Sequence, residues 1–177
     1  MFVLVTGAAS SGKSAWAEEM AVRAGSPRIY IATMQPFGEE GRARVAKHRA
    51  QRFGKGFSTV ECYGDLTSVE LPPDTESVLL ECTGNVAANV LFAQDGSVLD
   101  ADEAFDRIMA GVGHLRSRCA SLVVVANEVG SDGVSYSAET DRYVRLLGRV
   151  NCALAAQADA VYEVAAGVSQ CIKDGEA

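Results

Sequence analysis

Phe2-Val3-Leu4-Val5-Thr6-Gly7-Ala8-Ala9-Ser10-Ser11-Gly12-Lys13-Ser14 is the stretch on which the reading of the whole chain turns. Phe2 to Thr6 is a short apolar run and predicts a buried strand. Gly7 to Ser14 then matches GxxxxGKS in full. Lys13 to Ala24, rich in Ala, Glu and Met, predicts a helix that Gly25-Ser26-Pro27 stops. Strand, Gly-rich loop and helix in that order form the context in which the pattern marks a phosphate-binding P-loop. Glycines let the backbone wrap an anion with its N–H groups turned inward, and the helix N-terminus adds partial positive charge. Gly7, Ala8, Ala9, Ser10, Ser11, Gly12, Lys13 and Ser14 are therefore the candidate nucleotide-binding residues. Lys13 would reach the β- and γ-phosphate oxygens and act as a catalytic cation, and the Ser14 hydroxyl would face Mg²⁺.

Working outward, apolar strands are expected at 28–33, 57–62, 77–80, 122–126 and 160–165, and helices at 41–52, 84–92, 101–119 and 140–158. Residues 34–41, 95–97 and 129–139 read as loops, and 171–177 as a frayed tail. Strands and helices alternate, and the strands are short continuous apolar runs, as strands buried on both faces are. The expected fold is α/β, a mostly parallel sheet flanked by helices, with residues 1–177 as one catalytic domain.

Composition narrows the function. The 177 residues are 48% hydrophobic and 22% charged, enough for one full core. The net charge of −7 argues against a nucleic-acid partner. Five Cys form no CxxC pair and make an odd count, which fits reduced thiols and a cytoplasmic setting. Two His are too few for a His-based metal cluster. No apolar run approaches the ~20 residues of a membrane span, and the first strand is shorter than a signal-peptide core.

Two features remain. Glu81 follows an apolar strand directly, and Glu128 comes two residues after another. Either could supply the carboxylate that Mg²⁺ needs, since ligands of open parallel sheets bind at the carboxyl ends of the strands. Glu81 is favoured, because Glu128 sits in a Gly-rich turn. The second feature is residues 39–55, which hold six bases and two acids, so that the rest of the chain carries −11. Arg44, His48 and Arg52 stand four residues apart, one column of a helix. Two guanidiniums can grip a polyphosphate, and a neutral imidazole between them can act as a nucleophile. The same residues also fit a solvated basic face with an incidental His. His114, beside Leu115 in an amphipathic helix, reads as structural.

Taken in order, the blocks LVTGAASSGKS, YIAT, RARVAKHR, Thr59-Val60-Glu61, LLECTGNVAANVLF, VANEVG and GRVNCALAAQADAVYEVAAG resemble the adenosylcobinamide kinase / adenosylcobinamide-phosphate guanylyltransferase family of cobalamin biosynthesis, nearly end to end. The resemblance implies a RecA-like sheet, a homo-oligomer, a trimer in particular, and two reactions. A hydroxyl of adenosylcobinamide is phosphorylated by ATP or GTP, and GTP then gives GMP to that phosphate, yielding adenosylcobinamide-GDP. It implies that His48 carries the guanylyl group, and it makes Glu61 and Glu81 candidates for the nucleotide or Mg²⁺ site. The chain departs from the family pattern at Ala8 and Ser10, where Gly and Arg are usual, and at 131–136, which lack a Pro. Two other readings stay open, a P-loop small-molecule kinase without guanylyl transfer and a nucleotide-dependent switch. No [NT]KxD motif marks a preference for guanine.

Overall fold

The structure, a computed structural model, describes residues 1–93, 96–130 and 133–175. Asp95 of the expected 95–97 loop, Ser131 and Asp132 of the 129–139 loop, and Glu176 and Ala177 of the tail lie outside them. Strands β1 (Phe2–Thr6), β2 (Arg28–Ala32), β3 (Phe57–Glu61), β4 (Ser77–Glu81), β5 (Ser121–Val125), β6 (Ala160–Ala165) and β7 (Val168–Lys173) form one sheet. Helices α1 (Lys13–Arg23), α2 (Gly38–Arg52), α3 (Thr83–Leu91), α4 (Ala101–Arg116) and α5 (Ala138–Gln157) connect them. The strand order is β3-β2-β4-β5-β1-β6-β7, parallel except for the last pair. This is the mostly parallel α/β sheet expected from the sequence, and the element ends agree to within three residues.

Burial explains the continuous apolar runs. β1, β4 and β5 occupy the centre, and every residue of β4 and β5 is buried. One face is closed by α3, α4 and α5 through Val86, Leu91, Ile108, Leu115, Leu147 and Leu154, packed against Phe2, Leu4, Leu80 and Val124. On the other face Ala17 and Ala21 of α1 meet Val3, Val5, Leu79 and Val123. Small alanines let α1 lie close to the sheet, which brings its N-terminus over the ends of β4 and β5.

Two expectations are corrected. The expected tail at 171–177 does not begin at 171, because Val168–Lys173 returns as antiparallel β7. Ala166 and Gly167 both take positive φ, 50° and 79°, the conformation of a two-residue hairpin turn. β7 is mostly exposed on both faces, so it lacks the apolar run by which the other strands are read. The second correction concerns α2. Among its described side chains only Arg52 is buried, whereas Arg44, expected in one ligand-gripping column with His48 and Arg52, is exposed.

Two glycines of α4 separate packing from propensity. A Cβ on Gly111 would lie 2.6 Å from Cβ of the buried Leu66, whereas one on Gly113 would meet nothing within 4 Å. Alanine is preferred to glycine in a helix by up to ~1 kcal/mol. Overpacking a filled core costs ~1–3 kcal/mol. Gly113→Ala should therefore stabilise the protein by up to ~1 kcal/mol, and Gly111→Ala should destabilise it by ~1–2 kcal/mol. Urea unfolding midpoints at a common slope check both signs.

Candidate active site

The phosphate loop is built as its sequence requires. Gly7 has φ 149°, and a Cβ there would fall 2.4 Å from the Val164 carbonyl oxygen, so no other residue fits. Gly12, at φ 95°, caps α1. Ser10 holds a left-handed conformation at φ 60° without being glycine. The Lys13 ammonium is buried and donates to the Ala8 carbonyl at 3.0 Å, which keeps it inside the loop. The β6–β7 turn supports the loop from beneath. The Gly167 N–H donates to the Ser11 carbonyl at 2.8 Å, and a Cβ on Gly12 would come within 3.1 Å of Gly167 Cα. The turn missed in the sequence is thus part of the phosphate cradle's wall.

Glu81 lies level with Val125 of β5, which lies level with Val5 of β1. Two strand spacings, ~10 Å, separate it laterally from the strand that feeds the loop. The start of α1 spans that gap, and Ser14 Oγ donates to Glu81 Oε1 at 2.5 Å. Three more groups converge on the same residue. The Tyr30 hydroxyl donates to Oε2 at 3.2 Å. His48 Nδ1 stands 3.9 Å from Oε1. Thr33 Oγ1 donates to the Glu81 main-chain carbonyl and accepts from the Cys82 N–H, both at 2.7 Å. Burial, and then the charge of Glu81, push the Tyr30 phenol well above its ordinary range, so it remains a donor.

The other sequence candidates divide. Arg44 is on the exposed side of α2. Arg52 turns inward, with Cζ 3.4 Å from the centroid of the Tyr30 ring and Nη1 donating to the His48 carbonyl at 3.0 Å. The expected column of Arg44, His48 and Arg52 is therefore not a pair of guanidiniums flanking an imidazole. Arg52 is the last residue of α2, where the chain turns toward β3, and its guanidinium finds an aromatic face in place of water. Glu61 is level with Ala32 and hence with Glu81, at the far edge of the sheet. It is exposed and paired with Arg49 at 2.5 Å, and the Tyr63 hydroxyl, then Arg49, hold its carboxyl below the usual range. Glu128 is exposed and accepts from Thr6 Oγ1 at 3.2 Å. His114 is structural, with Nε2 2.9 Å from the Val69 carbonyl and Nδ1 3.1 Å from Arg118.

Sequence reading missed a polar set along the same edge. Asn127 Nδ2 donates to Cys82 Sγ at 3.3 Å, Asn151 Nδ2 to the Asn127 carbonyl at 3.1 Å, and Asn89 Nδ2 to the Thr33 carbonyl at 3.0 Å. These bonds tie α3 and α5 to the ends of β2, β4 and β5. Glu18, on α1 and 1% exposed, was also missed; it pairs with Lys55 at 2.5 Å just beyond α2. Only the blocks YIAT, VANEVG and GRVN pointed to Thr33, Asn127 and Asn151, since an isolated Asn otherwise reads as a turn residue.

The donor set at Ser14 and Glu81 fits Mg²⁺. A hydroxyl and a carboxylate, both hard oxygen donors, meet where a triphosphate's terminal oxygens would lie, and few protein ligands are typical of such sites. No cluster of three or more His, Cys, Asp or Glu occurs among the described residues, so an all-protein cage is not what the site offers. No helix among the described residues is long and apolar enough to cross a membrane. All five Cys are free.

The chain matches the family model for CobU, cobinamide kinase / cobinamide phosphate guanyltransferase, over residues 3–172. It is 36% identical over 185 residues to the bifunctional adenosylcobalamin biosynthesis protein CobU of Salmonella typhimurium, covering 98% of this chain and 100% of that one. It is 37% identical to the protein of the same name from Escherichia coli K12, with the same coverage. In structure it is similar to a solved ATPase domain, with a TM-score of 0.50 and 11% identity over 92% of this chain and 68% of that one, a likeness of fold alone.

The two acids can be ranked by experiment. Glu81→Gln removes the charge that faces Ser14 and should slow Mg²⁺-dependent nucleotide turnover by at least ~10²-fold, the scale of one electrostatic group. Glu128→Gln should change it much less. Turnover measured across a Mg²⁺ titration decides the order, and the reverse ranking would move the metal-side role to Glu128.

Proposed function

The chain belongs to the cobinamide kinase / cobinamide phosphate guanyltransferase family, and we propose that it carries out both of the transfers this name describes. In the first, ATP or GTP phosphorylates a hydroxyl of adenosylcobinamide. In the second, GTP gives GMP to the resulting phosphate through a guanylylated His48. One observation carries this reading. His48 Nδ1 lies 3.9 Å from the oxygen of Glu81 that also accepts from the P-loop's Ser14. A nucleophilic ring and a phosphate cradle thus share one carboxylate, an arrangement that a kinase or a switch alone does not need.

The residues divide the labour by position. In the kinase step the loop N–H groups and Lys13 hold the β- and γ-phosphates, and the acceptor hydroxyl attacks the γ-phosphorus in line. In the guanylyl step the His48 imidazole attacks the α-phosphorus, pyrophosphate leaves, and GMP remains as a phosphoramidate until the corrinoid phosphate takes it. Covalent catalysis replaces one hard transfer by two easier ones. Mg²⁺ held by Ser14 and Glu81 would offset the charge that develops on the phosphate oxygens. Arg44 and the other exposed bases of α2 supply positive potential for an incoming triphosphate. Arg52, buried over Tyr30, supports the helix in place of gripping the ligand. Glu61, engaged with Arg49, is proposed to fix α2 against β3.

We further propose that residues 1–177 act as one catalytic domain in the cytoplasm, as a homo-oligomer and specifically a trimer. Exposed Phe37 and Phe53 at the two ends of α2, 73% and 91% accessible, support burial against another copy. Light scattering should give three times the 18.6 kDa chain mass.

Two variants test the division. Lys13→Ala should lower corrinoid phosphorylation by at least ~10²-fold; unchanged turnover in a folded protein would defeat the P-loop assignment. His48→Ala should lose GMP transfer and uptake of label from GTP while phosphorylation of adenosylcobinamide continues. The wild-type adduct should be labile to acid and resistant to alkali, as a phosphorus–nitrogen bond is. Label on the His48→Ala protein would place the nucleophile elsewhere.

A further inference from the structure

We propose that Arg52, Tyr30 and Glu81 are positioning residues that set the His48 ring with Nδ1 inward, and that Nε2 is therefore the atom that takes the guanylyl group. The inference rests on His48 being the acceptor of GMP, as proposed above.

Three observations lead to it. The first is how α2 is held. Arg52 alone among its described side chains is buried, so the helix has no apolar face against the sheet. Polar contacts take that place, and they close a ring around His48. Arg52 Nη1 donates to the His48 carbonyl at 3.0 Å. Its Cζ lies 3.4 Å from the ring centroid of Tyr30, a close cation–π contact with a residue only 4% exposed. The Tyr30 hydroxyl donates to Glu81 Oε2, and Glu81 Oε1 faces His48 Nδ1. Backbone and ring of one residue are thereby referred to the same buried carboxylate.

The second observation is the state of the two ring nitrogens. Nδ1 is buried and has no hydrogen-bond partner. The side chain as a whole is 25% exposed, and Nδ1 adds nothing to that surface. A phosphorus atom could reach Nδ1 only by entering the sealed gap between the ring and the Glu81 carboxylate. Nε2 is the nitrogen left to meet a substrate.

The third is tautomer. It follows from the same geometry: a proton on Nδ1 would face the Glu81 oxygen 3.9 Å away, and the lone pair is then on Nε2. An approach of about 1 Å turns the 3.9 Å separation into a hydrogen bond of ordinary length. The step then balances without a base. The Nε2 lone pair forms a bond to the α-phosphorus. The bond from that phosphorus to the bridging oxygen breaks, and pyrophosphate leaves with the pair. Nδ1 keeps its proton, so the ring becomes a cation facing the Glu81 carboxylate. In the return step an oxygen of the acceptor phosphate bonds to phosphorus, the Nε2–P bond breaks, and its pair returns to Nε2.

The test uses the full chain labelled with ¹⁵N-histidine and reacted with GTP and Mg²⁺. Long-range ¹H–¹⁵N spectra should show His48 as the Nδ1–H tautomer before reaction, and ³¹P coupling should appear on Nε2 after it. Coupling on Nδ1, or an Nε2–H tautomer at the start, overturns the inference while leaving His48 as the acceptor. Absence of any adduct on His48 overturns the underlying reading as well. Arg52→Gln removes the cation from Tyr30 and should slow GMP uptake by ~10–100-fold, the scale of a misplaced reacting group. Arg52→Lys, which keeps a cation and a donor, should recover part of the loss. Arg52→Gln that folds, takes up GMP at the wild-type rate and keeps the tautomer spectrum also overturns the proposal.

Discussion

The carboxylate of Glu81 is the constraint on which the site depends. It is 9% exposed at the end of a strand whose every residue is buried. A charge there stands only if it is met by donors. Ser14, Tyr30 and the proximity of His48 meet it, from α1, β2 and α2 respectively. Three elements distant in sequence are thus referred to one pair of oxygens. The P-loop start of α1 is held at the correct height, and the basic helix is brought to the phosphate end of the sheet.

Much of this was legible in the sequence. β1 and the loop after it were read from an apolar run and a fixed Gly/Lys/Ser spacing. The central strands were read because strands buried on both faces leave no polar interruption. Glu81 was singled out as the acid directly ending such a run, and the structure sets Ser14 against it. What could not be read depends on contacts that leave no periodic mark. β7 is exposed and alternates weakly, so only Ala166-Gly167 announced it, and a single such pair is easily taken for the end of a chain. Arg52 fell on the predicted column with Arg44 and His48, but helix spacing gives a face without saying what that face meets. The Tyr30 ring under Arg52 comes from another strand, and nothing local to α2 predicts it. Thr33, Asn127 and Asn151 are single polar residues whose partners lie far along the chain.

The way α2 is anchored also separates it from the rest of the fold. α4 and α5 bury rows of Leu, Ile and Val, and their positions follow from the exclusion of water. α2 buries one guanidinium and is tied by Arg49 to Glu61, by Arg52 to Tyr30, and by Lys55 beyond its end to Glu18. Such contacts are directional. They fix the angle of a side chain better than an apolar face does, because donor and acceptor geometry is narrower than van der Waals contact. They also depend on one another, so loss of a single partner leaves a buried charge such as Arg52 or Glu18 with its full desolvation cost. The nucleophile proposed at His48, which would present one particular nitrogen, is well served by a helix held in this manner.

Charge distribution completes the argument. The chain as a whole carries −7, and residues 39–55 alone carry +4. An anionic nucleotide is therefore repelled by most of the surface and drawn to one segment, whose exposed bases lie beside a helix N-terminus that already favours phosphate. The acids nearest that segment do not cancel the attraction equally. Glu61 and Glu18 are each paired with a base of that segment, Arg49 and Lys55 respectively. Glu81 stays beside the phosphate loop, and there its carboxylate holds the Ser14 hydroxyl on one side and faces the inner edge of the His48 imidazole on the other. An acid at that point would oppose nucleotide binding in isolation. Set between Ser14 and His48, it orders the two groups on which phosphoryl and guanylyl transfer are proposed to depend.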